Sequence, residues 1–597
     1  MALQLLQQFN RNKGKVYKYY SIAEAFYEDG KNKKKIITRL GKLDDEHAEK
    51  IRGALKLSND SEKGIYSVND LSLKKTYSYL DVAAIYHVIK ELKLHTVLEE
   101  TKSVVNVNKI FSLLLVHRIL NPGSKLSAKR WIAKTVLPQL INLDNMEIEV
   151  QHIYRALPSI EAGKEKLENH LCSLLKEENY SFENIFYDLT SSYFEGDNVE
   201  KAAFSKNSKD HREDKLQLLL GLLVNKEGCP FSWDIYKGNQ GESTTFLEQV
   251  EKLKKRFNLK STLLVFDRGF LSQANLRCIV EAGYQYLTGL DSPQIETLVD
   301  LQVYSFLEGL NENNVDEEFK KTSLWIKYDD NKYYLAAAYS GDYNGHRTVV
   351  SFDVDRFKRS RILRGEKVER FKKWVDKHNE WLADFKKDAV KAAIENDIEA
   401  ELKRLGIKKF ITYELHQLSS DHQIFQRKRN NPFPSQGYYK KVKTFKIVFR
   451  FETYDKLDGL FALIAPEDSK LSAKEMIYYY REKNKIEMAF RAMKSLLKLR
   501  PWYVYKEEHV FAHYTICVVA YFIEKYLDLK LENSGLKKDG YTFEAFLEEL
   551  SGVNVGVMNL GKNKKVDLEE TSSELKNALQ GLGMASILNP MKLLKNI

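Results

Sequence analysis

From about residue 183 the apolar pattern changes period, and that change constrains the fold more than any other feature of the chain. Ile185–Phe194 reads as a strand. Gln217–Val224 and Pro230–Tyr236 form strands around a turn at Asn225–Gly228. Thr244–Phe257 has helical spacing, and Ser261–Phe266 is a short, mostly apolar run of the kind buried on both faces. Ser272 caps a helix that ends at Gly283, and Tyr284–Leu290 is another strand. Strand, hairpin, helix, strand, helix, strand is the pattern of an α/β layer structure.

The flanking regions read differently. Residues 1–75 form a small basic module, with Val16–Tyr27 and Lys33–Leu40 as a hairpin around Asp29-Gly30. Residues 76–180 read as helical. Lys109–Leu120 is stopped by Asn121-Pro122-Gly123, a second run opens at Ser124-Lys125, and His152–Leu175 is a third. Residues 181–299 hold the α/β pattern. Residues 300–465 mix strands with one long charged helix, Glu366–Leu405, and are large enough to be an inserted domain. Residues 466–530 carry a long helix opened by the capping box Ser472-x-x-Glu475, then an apolar stretch, His509–Leu527. Residues 531–597 read as a polar, weakly periodic tail.

Composition narrows the class. With 597 residues, 10 Pro and 29 Gly, the chain is neither low-complexity nor collagen-like. No apolar run reaches the roughly 18 residues that span a bilayer, and Met-Ala-Leu-Gln-Leu-Leu lacks a signal pattern. The expectation is a cytoplasmic protein with no membrane partner. Four scattered cysteines suggest buried thiols. The net charge of +11 permits a polyanion partner, so the placement of the charge matters more than its sum.

Three carboxylates stand in costly places. Asp188 lies inside the apolar run Ile-Phe-Tyr-Asp-Leu-Thr. Asp267 ends Leu263–Phe266 and precedes Arg268-Gly269-Phe270, at the carboxyl end of a buried strand, where open α/β sheets hold ligands. Glu487 belongs to a helix on which Tyr480, Lys483, Glu487, Arg491 and Lys494 share one face, beside the apolar stripe Ile486, Phe490, Met493 and Leu497. Taken singly, each acid also fits a structural ion pair or a turn bond. Together, three carboxylates at a sheet edge suit two hard divalent ions about 3.5–4 Å apart, Mg²⁺ or Mn²⁺. Cations beside them would hold phosphates.

These blocks resemble a bacterial insertion-sequence transposase of the DDE type, in the IS-four-like superfamily. The resemblance rests on Phe186–Ser191 with Ser208-Lys209-Asp210 and Gly238-Asn239-Gln240, on Val265–Phe270, and on the signature Tyr-x2-Arg-x3-Glu-x6-Lys. The signature falls on Tyr480, Lys483, Glu487 and Lys494, with Lys where the family usually has Arg. The carboxylates are 79 and 220 residues apart, like a ribonuclease-H-like core interrupted by a large, mainly β insertion. The resemblance implies catalytic, metal-binding roles for Asp188, Asp267 and Glu487. It also implies cutting at inverted-repeat ends, joining of a 3′-hydroxyl to target DNA, and a homodimeric synaptic complex on double-stranded DNA. Tyr480, Lys483, Arg491, Lys494 and Arg268 are the expected DNA contacts at this site.

Beyond the site, two basic stretches are candidates for DNA. One is Lys31–Lys42, including Lys34 and Lys35. The other is Arg427–Arg450, including Arg427, Lys428, Arg429, Lys440 and Lys441, with Tyr438 and Tyr439 available to stack. A solvated loop is the plain alternative for the second. A helix-turn-helix around Asn121–Ser124 is a weaker reading. Trp325 is a bare candidate for stacking on a flipped base. His509-x3-His513 reads as helix packing rather than a zinc site. The competing functions are a nuclease of the same core that does not rejoin DNA, and a non-catalytic DNA-binding regulator.

Overall fold

The structure is a computed structural model. It describes the chain except residues 1, 13–14, 29–30, 59–70, 100–105, 144–146, 197, 206–209, 211, 299–300, 336–344, 428–436, 453–454, 540, 561–562 and 595–597. The hairpin turn at Asp29-Gly30, two residues of the Ser208-Lys209-Asp210 block, and Lys428 and Arg429 lie outside the described residues. The chain divides into two compact units, Met1–Ile160 with Ile523–Ile597, and Glu161–Phe522.

In the first unit, Ala2–Asn12, Lys15–Glu28 and Lys31–Gly41 form an antiparallel sheet, one strand more than the hairpin expected from sequence. The helix Asp45–Ser58 follows, with Asp45 2.6 Å from the Lys18 ammonium. The chain ends meet in a second sheet. Asn554–Leu560 pairs with Leu71–Ser78 on one side and Asn563–Leu568 on the other, so the expected polar tail is ordered structure there. Helices Val107–Leu120 and Lys125–Ile132 flank Asn121–Ser124. Ser124 caps the second by accepting from the Ser127 amide. The buried Tyr79 hydroxyl donates to the Ile587 carbonyl at 2.7 Å.

The second unit is built on a sheet of ten strands among the described residues. At its centre Asn184–Phe194 runs parallel to Leu263–Phe266, which runs parallel to Gln285–Gly289. Leu216–Val224 pairs antiparallel with Asn184–Phe194, and Pro230–Lys237 with Leu216–Val224. These central strands are buried along nearly their whole length, as the apolar runs of Leu216–Val224 and Leu263–Phe266 require. On the other side, Leu460–Pro466 pairs with Gln285–Gly289 and His346–Asp353. Lys332–Leu335 and Trp325–Asp329 then carry the sheet to its edge.

The segment 300–465 therefore contributes strands to the main sheet as well as a body of its own. Helices Val354–Ala383 and Lys391–Leu405 are as prominent as its strands, and they replace the single helix expected over Glu366–Leu405. The long ribbon of Ile411–Arg427 and Gly437–Phe451 covers them. Val368, Phe371, Val375, Ile398, Leu402 and Ile447 form the core of this body. Trp325 is 4% exposed and packs 5.5 Å from Phe319 and 5.9 Å from Phe352, so it is a core residue and no candidate for base stacking.

The helix Glu507–Asn533 corrects the reading of apolar runs. By length and composition it is sufficient to cross a membrane, and 89% of its apolar stretch is buried inside the protein. His513 is 1% exposed. Its Nε2 lies 3.1 Å from the Leu499 carbonyl, and its ring meets Trp502 edge-on at 5.6 Å. That is the packing role read from the sequence.

Candidate active site

The parallel pairing of the two central strands aligns the first two carboxylates. Asn184 stands opposite Leu263, and Tyr187 opposite Phe266. One further step in register sets Asp188, inside its longer strand, beside Asp267, where Leu263–Phe266 ends. Asp188 is 7% exposed and accepts from the Leu189 amide at 2.8 Å. Asp267 caps a single tight turn, Arg268–Phe270, by accepting from the Arg268 amide at 2.9 Å.

The third carboxylate arrives from two consecutive helices after the sheet. The capping box of Ser472 and Glu475 starts the helix Ala473–Glu482, and Asn484–Ser495 continues it beyond Lys483. Ile486, Ala489, Phe490 and Met493 are buried and dock the second helix. Tyr480 of the first helix, Lys483 at the junction and Glu487 of the second line the groove beside Asp267. The Tyr480 hydroxyl donates to Asp267 Oδ1 at 3.3 Å. Gly289 makes room for it, since a Cβ there would meet the hydroxyl oxygen at 2.9 Å.

Lys483 lies between Asp267 and Glu487. Its side chain is 9% exposed, and Nζ is 3.0 Å from Glu487 Oε1 and 3.6 Å from Asp267 Oδ2. Burial pulls its pKa down, but the charges of Asp188 and Asp267 and the bond to Glu487 outweigh burial and hold it above the ordinary lysine value. Burial, then the Asp267 charge, raises the Tyr480 pKa and keeps it a neutral donor. A groove of about 500 Å³ opens beside these residues. Asp267, Arg268, Lys483 and Glu487 line one end, and Asp353 and Arg356 are among the residues lining the rest.

The other expected contacts separate. Arg268 and Arg491 are exposed. Lys494 donates to Thr190 Oγ1 and the Ser191 carbonyl at 2.8 Å each, and to Asp210 Oδ1 at 3.0 Å. Asp210 Oδ2 in turn lies 2.8 Å from Arg500. A phosphate reaching Lys494 therefore competes with Asp210. Neither Arg500 nor the bridging role of Asp210 was picked out from sequence, although Asp210 lies in one of the blocks that carried the resemblance. Glu242 was also missed. Its Oε2 lies where a Cβ on Gly269 would come within 2.1 Å, over the turn after Asp267.

Away from the site, Lys34 and Lys35 are exposed on the strand Lys31–Gly41. On the long ribbon, Lys440 is paired with Asp388 at 2.6 Å and Lys441 is exposed. Tyr439 is exposed there and meets Phe425 edge-on at 5.4 Å. Arg427 ends the first ribbon strand, and its side chain lies outside the described residues.

Three carboxylates are hard oxygen donors of the kind that bind Mg²⁺ or Mn²⁺, and an ammonium already stands among them as a cation. The chemistry of the site therefore fits a divalent ion. Among the described residues, no three acidic, His or Cys side chains are grouped closely enough to share one ion. Asp267 and Glu487 instead hold the Lys483 ammonium between them.

Residues 185–523, more than half of the chain, match the transposase DDE domain family, and residues 6–64 match the N-terminal domain of the IS1634 family transposases. Among solved structures, the piggyBac transposase synaptic complex with hairpin DNA is 8% identical. The alignment covers 80% of this chain and 82% of that one, with a TM-score of 0.33. The Mos1 transposase paired-end complex with its left transposon end is also 8% identical, covering 32% and 60%, with a TM-score of 0.14. Superpositions this loose carry no argument about the fold. No curated protein matches the chain.

Proposed function

The chain belongs to the family of transposases with a DDE domain, metal-dependent enzymes that act on DNA, and from that premise we propose that Asp188, Asp267 and Glu487 are its catalytic triad. In this reading they hold two Mg²⁺ or Mn²⁺ ions at the edge of a ribonuclease-H-like sheet. The ions, when bound, supply an activated water or 3′-hydroxyl and stabilise the leaving oxygen. The enzyme cuts at the inverted-repeat ends of its transposon and joins the freed 3′-hydroxyl to target DNA. A homodimer on double-stranded DNA holds the two ends.

The single observation that carries this reading is that Asp188 and Asp267 stand side by side on adjacent parallel strands, while one buried ammonium joins Asp267 to Glu487 of a distant helix. Each protein group then has a task. Tyr480 donates to Asp267 and orients that carboxylate. Lys483, and beside it Arg268 and Arg491, offer positive charge to the phosphates flanking the cut. Lys494 anchors the helix to the Asp188 strand through Thr190 and the Ser191 carbonyl, and it meets phosphate where DNA displaces Asp210. Lys34, Lys35, Arg427, Lys428, Arg429, Lys440 and Lys441 serve as contacts to DNA farther away.

The test is cleavage of a duplex carrying the repeats that flank the reading frame, in Mg²⁺. Asp188→Asn, Asp267→Asn and Glu487→Gln are expected to bind the end as the wild type does when no divalent ion is added, and to lose cleavage in Mg²⁺. Cleavage that survives in Asp188→Asn removes the site assignment. Hydrolysis by the wild type without a transposon–target joint product makes the chain a nuclease of the same core.

A further inference from the structure

We propose that Lys483 is a tethered counter-cation that opposes divalent ions at the acidic site until DNA draws it aside, so that metal binding and DNA binding strengthen each other. This rests on the reading of Asp188, Asp267 and Glu487 as metal ligands. The ammonium is held at 3.0 Å from Glu487 and 3.6 Å from Asp267, on a side chain only 9% exposed. Its position among the acids is that of an ion, and like charges at such separations repel strongly in a partly desolvated site. A divalent ion entering between the same carboxylates must therefore displace the ammonium or bind against it.

The side chain is suited to being displaced. Lysine carries a compact charge on a flexible four-carbon stem, unlike the planar fork of arginine. Lys483 also stands at the junction of two helices and lines the groove of about 500 Å³ beside the site. A DNA phosphate in that groove offers the ammonium a new anion in place of the carboxylates. Whatever affinity DNA thereby adds for the ion, the ion must add for DNA, because the coupling between two ligands is reciprocal. The consequence is a free enzyme that is poorly loaded with metal and loads fully on its DNA.

The experiment measures Mn²⁺ binding to the full chain, by the loss of the free-ion electron paramagnetic resonance signal, with and without the flanking-repeat duplex. Wild type is expected to gain about tenfold or more in Mn²⁺ affinity when DNA is present, within the range usual for coupled sites. Lys483→Met is expected to bind Mn²⁺ about tenfold more tightly than wild type without DNA, and to gain little from DNA. Lys483→Arg, which keeps the charge, should stay near the wild type without DNA. Equal or weaker Mn²⁺ binding by Lys483→Met overturns the proposal. So does a wild type whose Mn²⁺ affinity ignores DNA, a result that needs no variant to fold. Asp188→Asn separates the two levels. If it leaves Mn²⁺ binding untouched, the ions sit elsewhere and the site assignment itself fails. If it weakens binding while Lys483→Met does not strengthen it, only the role of Lys483 fails.

Discussion

Glu161 shows how much a single buried acid weighs in this protein. Its Oε2 is buried with no hydrogen-bond partner, close to the charged group of Lys164, Glu168 and Asp234. Burial, only partly relieved by the charges of Lys164 and Lys201, raises its pKa from 4.5 to about 7. Between those values the folded chain keeps a proton that the unfolded chain has released, so stability falls as pH rises through this window. The full contribution is present below about 4.5 and is gone above about 7. Glu161→Gln, which stays neutral at every pH, should therefore raise the stability measured by urea unfolding at pH 8. The gain is on the order of 2–3 kcal/mol, and it should shrink towards nothing at pH 4. A pH-independent difference between the two proteins would place the cost elsewhere.

The helix that carries the site depends on how it starts. Ser472 accepts from the Glu475 amide, while Glu475 accepts from the Ser472 amide at 2.8 Å. Those two bonds satisfy amides that the first turn of any helix leaves open. The same helix then delivers Tyr480 to Asp267 and leads into Lys483 and Glu487. Ser472→Ala should cost about 1 kcal/mol in denaturant unfolding. It should also loosen the groove without touching a carboxylate. Lys494 works at the other end, tying the second helix to the strand that holds Asp188. One helical element thus positions the third acid from both sides.

For the molecule as a whole, the placement of the +11 charge matters more than its size. The strand Lys31–Gly41 is exposed along most of its length and carries Lys31, Lys33, Lys34, Lys35 and Arg39 with no acid. Replacing Lys34 and Lys35 by Ala should weaken binding to any duplex and make the dependence of log affinity on log salt shallower by about two. An unchanged slope, read by fluorescence anisotropy, would remove these two residues from the interface.

Much of the second unit was legible before any coordinates, because its signals are local. A strand buried on both faces needs a mostly apolar run, and Gln217–Val224 and Ser261–Phe266 provide it. A helix end needs its open amides met, and Ser124, Ser272 and Ser472 meet them. The carboxylates were noticeable for the same reason, since a charge in an apolar run is costly unless something binds it. Other features were decided only by tertiary structure. Periodicity tells which face of an element is buried but not against what, so the pairing of Leu71–Ser78 with Asn554–Leu560 left no local trace. Helix spacing set Lys483 and Glu487 on one face. Only the docking of that face beside Asp267, at the end of a central strand, put the ammonium between two acids. Asp210 reads locally as one more charge in a polar block, and it becomes a bridge between Lys494 and Arg500 only when segments nearly three hundred residues apart meet.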